Sequence, residues 1–73
     1  MKYQGRLDAS LIGETVKVNT WAGGYRIIKV DNFEVKGKND QDVISGTIIR
    51  PLIEAGNGAW AYTDQIMGVG GYQ

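Results

Sequence analysis

The stretch Tyr25–Lys36, YRIIKVDNFEVK, decides the fold. It is the longest run dense in β-branched and aromatic residues, and turn-forming residues bound it on both sides. Such side chains fit a pleated, half-buried surface, so the run predicts a strand. Its alternation slips once. Ile28 and Val30 share a face, Phe33 and Val35 have the opposite parity, and the slip falls at Asp31-Asn32. A single slip in a strand loyal to one core predicts a β-bulge or sharp bend. A two-residue turn between separate strands is the alternative, disfavoured because neither residue is glycine. Small barrels need such corners to close. The run is therefore expected to be the central, bent strand of a small β-barrel.

Upstream, Glu14–Thr20 (ETVKVNT) alternates cleanly, with Val16 and Val18 on one side and Lys17 and Asn19 on the other. That pattern predicts a half-buried strand. Gly23-Gly24, after Trp21-Ala22, supplies positive φ at little steric cost and predicts a hairpin tip. Met1–Arg6 is expected to pair as a short edge strand with Tyr3 inward. Leu11 and Ile12 are expected to plug one barrel end from a plain loop, in preference to a helical turn capped by Asp8, because seven residues make a poor helix.

Downstream, Gly37–Asp42 (GKNDQD) is wholly polar and predicts a mobile loop. Val43–Arg50 (VISGTIIR) is the next strand, with Ile44, Gly46 and Ile48 on one face. Glycine in mid-strand implies a bend or the close approach of another backbone. Pro51 lacks an amide donor and should end the pairing. Leu52 and Ile53 then lead out along an arm to Asn57-Gly58, a hairpin-turn signal. Ala59–Thr63 returns as a strand, Asp64–Met67 forms one helical turn, and Gly68–Gln73 is expected to be a flexible tail. The predicted core is Val16, Val18, Ile28, Val30, Phe33, Val35, Ile44, Ile48 and Ile66.

Seventy-three residues make one domain, spanning 1–73. A chain this short buries only about 60% of its unfolded surface, so small domains often add a disulfide, a metal or a partner. With no cysteine and no histidine, disulfides are impossible and a zinc site would need carboxylates alone. Self-association, as a homodimer, is the expected remedy. Eight basic residues balance eight acidic ones, so no global field draws nucleic acid or an anionic membrane. No signal-like or membrane-spanning apolar run is present. Together with the lack of cysteine, this makes cytoplasmic the expected location.

Catalytic chemistry finds little footing. No histidine or thiol activates a serine, and Asp31, Glu34 and Asp64 are carboxylates with ordinary structural explanations. Asn39, Asp40 and Asp42 lack the spacing of a calcium loop, since Ile44 stands where another oxygen ligand is needed. The glycine-rich stretches lack the context of a phosphate loop. No catalytic residue, cofactor or metal ligand is therefore assigned.

The aromatic residues are more informative. Trp21 stands at a hairpin tip and Trp60 follows a turn; with Tyr25, Arg26 and Tyr62 they are the expected binding residues. Exposed Trp and Tyr anchor protein interfaces and also stack on single-stranded nucleic acid. Lys17, Arg26, Lys29 and Arg50 are the basic residues near these rings.

The order of elements resembles SH3-like barrels: strand, glycine-rich tip, long bent strand, polar loop, strand, turn, strand, short helical turn. The expected fold is all-β, a small SH3-like antiparallel barrel or half-barrel of about five strands, with an OB-like barrel as alternative. The expected function is a small non-enzymatic module for protein–protein contact. Size and autonomy suggest a stand-alone accessory or inhibitor protein, including one carried by a virus or plasmid. A nucleic-acid-binding barrel is the alternative, and an enzyme with its site at an oligomer interface is a third class.

Overall fold

The computed structural model describes residues 3, 5–20 and 23–71. Five strands follow one another: β1 (Thr15–Asn19), β2 (Tyr25–Lys38), β3 (Gln41–Arg50), β4 (Gly58–Tyr62) and β5 (Ile66–Val69). They form one antiparallel sheet in the order β4-β3-β2-β1-β5. Beyond 3-10 turns, the described residues contain no helix. The sheet is open and bends at the β2 bulge, an all-β arrangement compatible with a small barrel or half-barrel. A single 3-10 turn (Leu52–Glu54) joins β3 to β4, where an OB-like barrel would carry a longer helix.

The bend lies where the alternation slips. β2 is continuous through Asp31-Asn32, and its register on β3 jumps from Val30↔Gly46 to Asn32↔Ser45, leaving Asp31 as the bulge residue. Gly46 makes this possible. A Cβ there would overlap the Lys29 carbonyl and crowd the Asp31 amide. The close approach read from a mid-strand glycine is thus present, and it sits at the corner.

Inside the bend lie Leu11, Val16, Val18, Ile28, Val30, Ile44, Ile48, Ala61 and Ile66, all buried, with Tyr3, Leu7, Phe33, Ala59 and Val69 packed around them. Leu11 plugs the end as expected, but Ile12 is exposed and the segment is not a plain loop. Ala9–Leu11 forms a 3-10 turn whose Ser10 N–H donates to the Asp8 carboxylate, so Asp8 caps a turn too short to need helical stability of its own.

Several expectations are corrected. Val35 is 70% exposed and not core. Between Glu34↔Val43 and Lys38↔Gln41, β2 carries two more residues than β3, and Lys36 takes a left-handed φ of 53°. β1 pairs with β2 only as far as Lys29, so no strand lies over this part of β2 to cover Val35. The polar stretch Gly37–Asp42 is not a long loop. Asn39 and Asp40 both adopt positive φ (50° and 60°) and make a two-residue hairpin tip, a conformation their short polar side chains tolerate. Asn57-Gly58 is not the tip of the next connection. There the left-handed residue is Gly56, and Asn57 already offers its carbonyl to the Ile48 N–H at 2.8 Å. The turn expected at Asp64–Met67 is a 3-10 turn over Thr63–Gln65.

The fifth strand also comes from the other end of the chain. Met1, Lys2 and Gln4 lie outside the described residues, and neither Tyr3 nor Gly5–Arg6 is in a strand. Ile66–Val69 pairs with β1 instead, so Gly68 and Val69 are strand residues rather than the start of a tail. Gly70 continues the contact, its N–H donating to the Thr15 carbonyl at 2.7 Å.

Candidate interaction surface

Alternation along β4 places Ala59 and Ala61 towards the core and Trp60 and Tyr62 outward. Trp60 is 49% exposed, and Tyr62 meets it edge-on with ring centroids 5.1 Å apart. The β2–β3 hairpin leans over this pair. Lys38 Nζ sits 4.7 Å from the centre of the Trp60 ring, and Asn39 Nδ2 donates to the Tyr62 hydroxyl.

β4 is also a sheet edge. Ile48 directs its N–H to Asn57 and its carbonyl to Gly56. By the two-residue repeat, Gly46 and Ile44 face β4 in the same way, opposite Ala59 and Ala61. Gly58 and Trp60 therefore turn their N–H and C=O groups away from the sheet. The third outward group, the Tyr62 N–H, is taken by Gln65 Oε1 at 2.9 Å. The same Gln65 donates to the Asn19 carbonyl, tying the 3-10 turn to the end of β1.

Beside this edge lies a cleft of about 340 Å³, lined by Arg26, Ile48, Glu54, Asn57, Gly58, Ala59 and Trp60. An ion pair forms one wall. Arg26 Nε and Nη2 donate to the two Glu54 carboxylate oxygens at 2.7 and 2.9 Å, a bidentate fork. These bonds hold the Glu54 carboxyl below the usual range and raise Arg26 further. The 3-10 turn that supplies Glu54 also carries Leu52 and Ile53, which are 83% and 92% exposed.

Of the five expected binding residues, Arg26 and Trp60 share the cleft, and Trp60 and Tyr62 share a ring contact. Tyr25 stands apart. It pairs with Asn19 and lies under Lys17 Nζ at 4.7 Å, whereas Trp60 shares a cross-strand row with Ser45 and Asn32. From Tyr25 to Asn32 is about 23 Å of extended chain, with the bend between. Trp21 lies outside the described residues. Leu52, Ile53, Lys38 and the outward backbone at Gly58 were missing from the expected binding residues. The apolar pair following a proline was the available signal for the first two.

Among the described residues no cluster of three acidic, histidine or cysteine side chains is placed to hold a metal, and no helix is long and apolar enough to cross a membrane. No protein-family model matches the chain, and neither a curated protein nor a solved structure matches it.

Proposed function

We propose that this protein is a small non-enzymatic binding module that grips protein partners along the β4 edge, a second copy of itself being one partner the edge fits. The observation that carries this is the edge itself. Gly58–Tyr62, GAWAY, has no charge and no proline, and two of its residues turn outward backbone groups that have no partner among the described residues. Edge strands are usually blunted by lysine, proline or a bulge, and one that is not is a template for another strand. Trp60 on the edge, and Leu52 and Ile53 on the 3-10 turn that precedes β4, are exposed apolar side chains of the kind that anchor interfaces. The zero net charge puts no overall repulsion between copies. A cytoplasmic location belongs to the same reading, on the ground of the cysteine-free composition.

Sedimentation velocity at micromolar concentration tests self-association. A dimer is expected, and Trp60→Lys should return it to monomer by placing a charge on the edge. Capture from nuclease-treated lysate tests other partners, with Leu52→Asp/Ile53→Asp as the comparison. A monomeric parent that captures the same proteins as the double variant would remove this reading.

A further inference from the structure

The outer face of the sheet on the other side of the bend carries a different surface. Lys17, Ile27 and Arg50 form one cross-strand row over β1, β2 and β3. Lys29 stands two residues along β2 on the same face, in a row with Thr15 and Thr47, and Tyr25 stands two residues the other way. Ile27 is buried although it is absent from the core inside the bend. Long basic side chains cover apolar surface with their stems while the charged heads stay in water, and Lys17 and Arg50 flank Ile27 in this way.

None of Lys17, Lys29 and Arg50 belongs to an ion pair among the described residues; those formed are Arg6–Asp8, Arg26–Glu54 and Lys36–Asp40. The nearest carboxylates in sequence are marginal. Glu14 precedes β1, and Asp31 is the bulge residue. A chain neutral as a whole therefore gathers three uncompensated cations on one patch. Salt screens fields beyond about 8–10 Å, so a partner lying on this face responds to the patch and not to the net charge.

We propose that this face binds the backbone of a single-stranded nucleic acid, with Lys17, Lys29 and Arg50 each facing a phosphate and Tyr25 offering a ring for a base. The geometry favours that partner over an acidic protein. The cations are spread rather than clustered, with Lys17 and Arg50 two strand spacings apart, about 10 Å, and Lys29 on the diagonal. A flexible polyanion with a charge on every nucleotide can follow such a spacing. Tyr25 is about half exposed (49%) beside the row, and base–aromatic stacking tolerates any sequence.

The test is fluorescence anisotropy with a labelled oligothymidylate, with a labelled polyglutamate of equal length as the competing class. The oligonucleotide should bind at low salt, with log affinity falling against log salt at a slope of about −2, as expected for three single-strand phosphate contacts. The triple variant Lys17→Gln/Lys29→Gln/Arg50→Gln should lose about tenfold or more in affinity. Arg6→Gln/Lys36→Gln/Lys38→Gln changes the net charge equally but elsewhere, and should lose less than about twofold; these thresholds are those expected if phosphate contacts dominate. Should the triple variant fail to fold, Lys29→Gln alone, at an exposed position, should reduce the slope by about 0.7. Tyr25→Ala should weaken the oligonucleotide while leaving the slope unchanged. Equal losses in the two triple variants, no oligonucleotide binding at low salt, or polyglutamate binding as tightly would each overturn the proposal. Trp60→Lys should leave oligonucleotide binding intact, which separates this face from the β4 edge.

Discussion

The two halves of β2 obey the same alternation and obtain different results from it. From Tyr25 to Val30, β2 lies between β1 and β3, and its inward residues Ile28 and Val30 are fully buried. From Asn32 to Lys38 it pairs with β3 alone, Phe33 is only partly buried, and Val35 faces water. Alternation in a sequence names the side of a strand, but burial requires a neighbour on that side. β1 reaches only as far as Glu14, whose carbonyl takes the Val30 N–H. Beyond that point the pattern continues without an opposite wall.

The sharpest way to break this contrast is to truncate one inward residue in each half. Ile28→Ala should cost about 2–5 kcal/mol, the range for deleting a fully buried aliphatic side chain. Val35→Ala should stay within about 0.5 kcal/mol. Denaturant midpoints read both, and equal losses would mean that the outer half is packed like the inner. The hinge between the halves comes next. Gly46→Ala should cost about 1–3 kcal/mol through overpacking against the Lys29 carbonyl, and amide exchange should quicken around Asp31. An unchanged midpoint would show that the corner has room to relax.

A smaller effect of opposite sign is expected in the outer half. Lys36→Gly should stabilise by up to about 1 kcal/mol, because it relieves a left-handed backbone at a residue with a Cβ. The Lys36–Asp40 contact it removes, at 3.9 Å between exposed side chains, is too weak to offset this. Loss of stability would show that the left-handed assignment is wrong.

The smallest effect concerns Arg26, in the inner half. Because the folded Glu54 carboxyl is held below its ordinary value, its contribution is present above the unfolded pKa of about 4.3 and is lost as pH falls through the lowered folded value. Glu54→Gln should therefore lower the thermal midpoint slightly at neutral pH, where the contribution is present, and flatten its fall through the acid window, the effect staying small because the pair is partly exposed. An acid limb identical to the parent's would mean that the ion pair does not survive in solution.

What was legible in the sequence was whatever depends on neighbours within a strand. The alternation of Val16 and Val18, the slip at Asp31-Asn32 and the strain-free Gly46 are local patterns with one physical solution each. Non-local choices were not legible. Ile66–Val69 has three apolar residues around a single glycine, too short a run to name its partner, and nothing within it says that β1 is waiting with an open edge. Asn39-Asp40 and Asn57-Gly58 have similar turn chemistry, but the first tip is set by a tight hairpin and the second is pre-empted by Pro51 and the 3-10 turn. In the site, exposed aromatics were identifiable by type. Their grouping was not, since which part of β2 lies in the row of Trp60 depends on the register of β3 between β2 and β4.

The pairing of β1 with β5 also orders events in time. Val16 and Val69 meet from near opposite ends of the chain, whereas β2, β3 and β4 follow one another through short connections. Local pairings close quickly and distant ones wait on the entropy of the intervening loop. During synthesis, β1 emerges first and can lean on β2 early, yet its other side stays unpaired until Ile66–Val69 arrives. The meander would then stand as a partly built sheet with β1 and β4 both open at the edges. Addition of β5 covers β1, which carries Val16 and Val18 of the core, and moves that edge of the sheet out to the short strand Ile66–Val69, where the Tyr3 N–H donates to the Ile66 carbonyl at 3.3 Å.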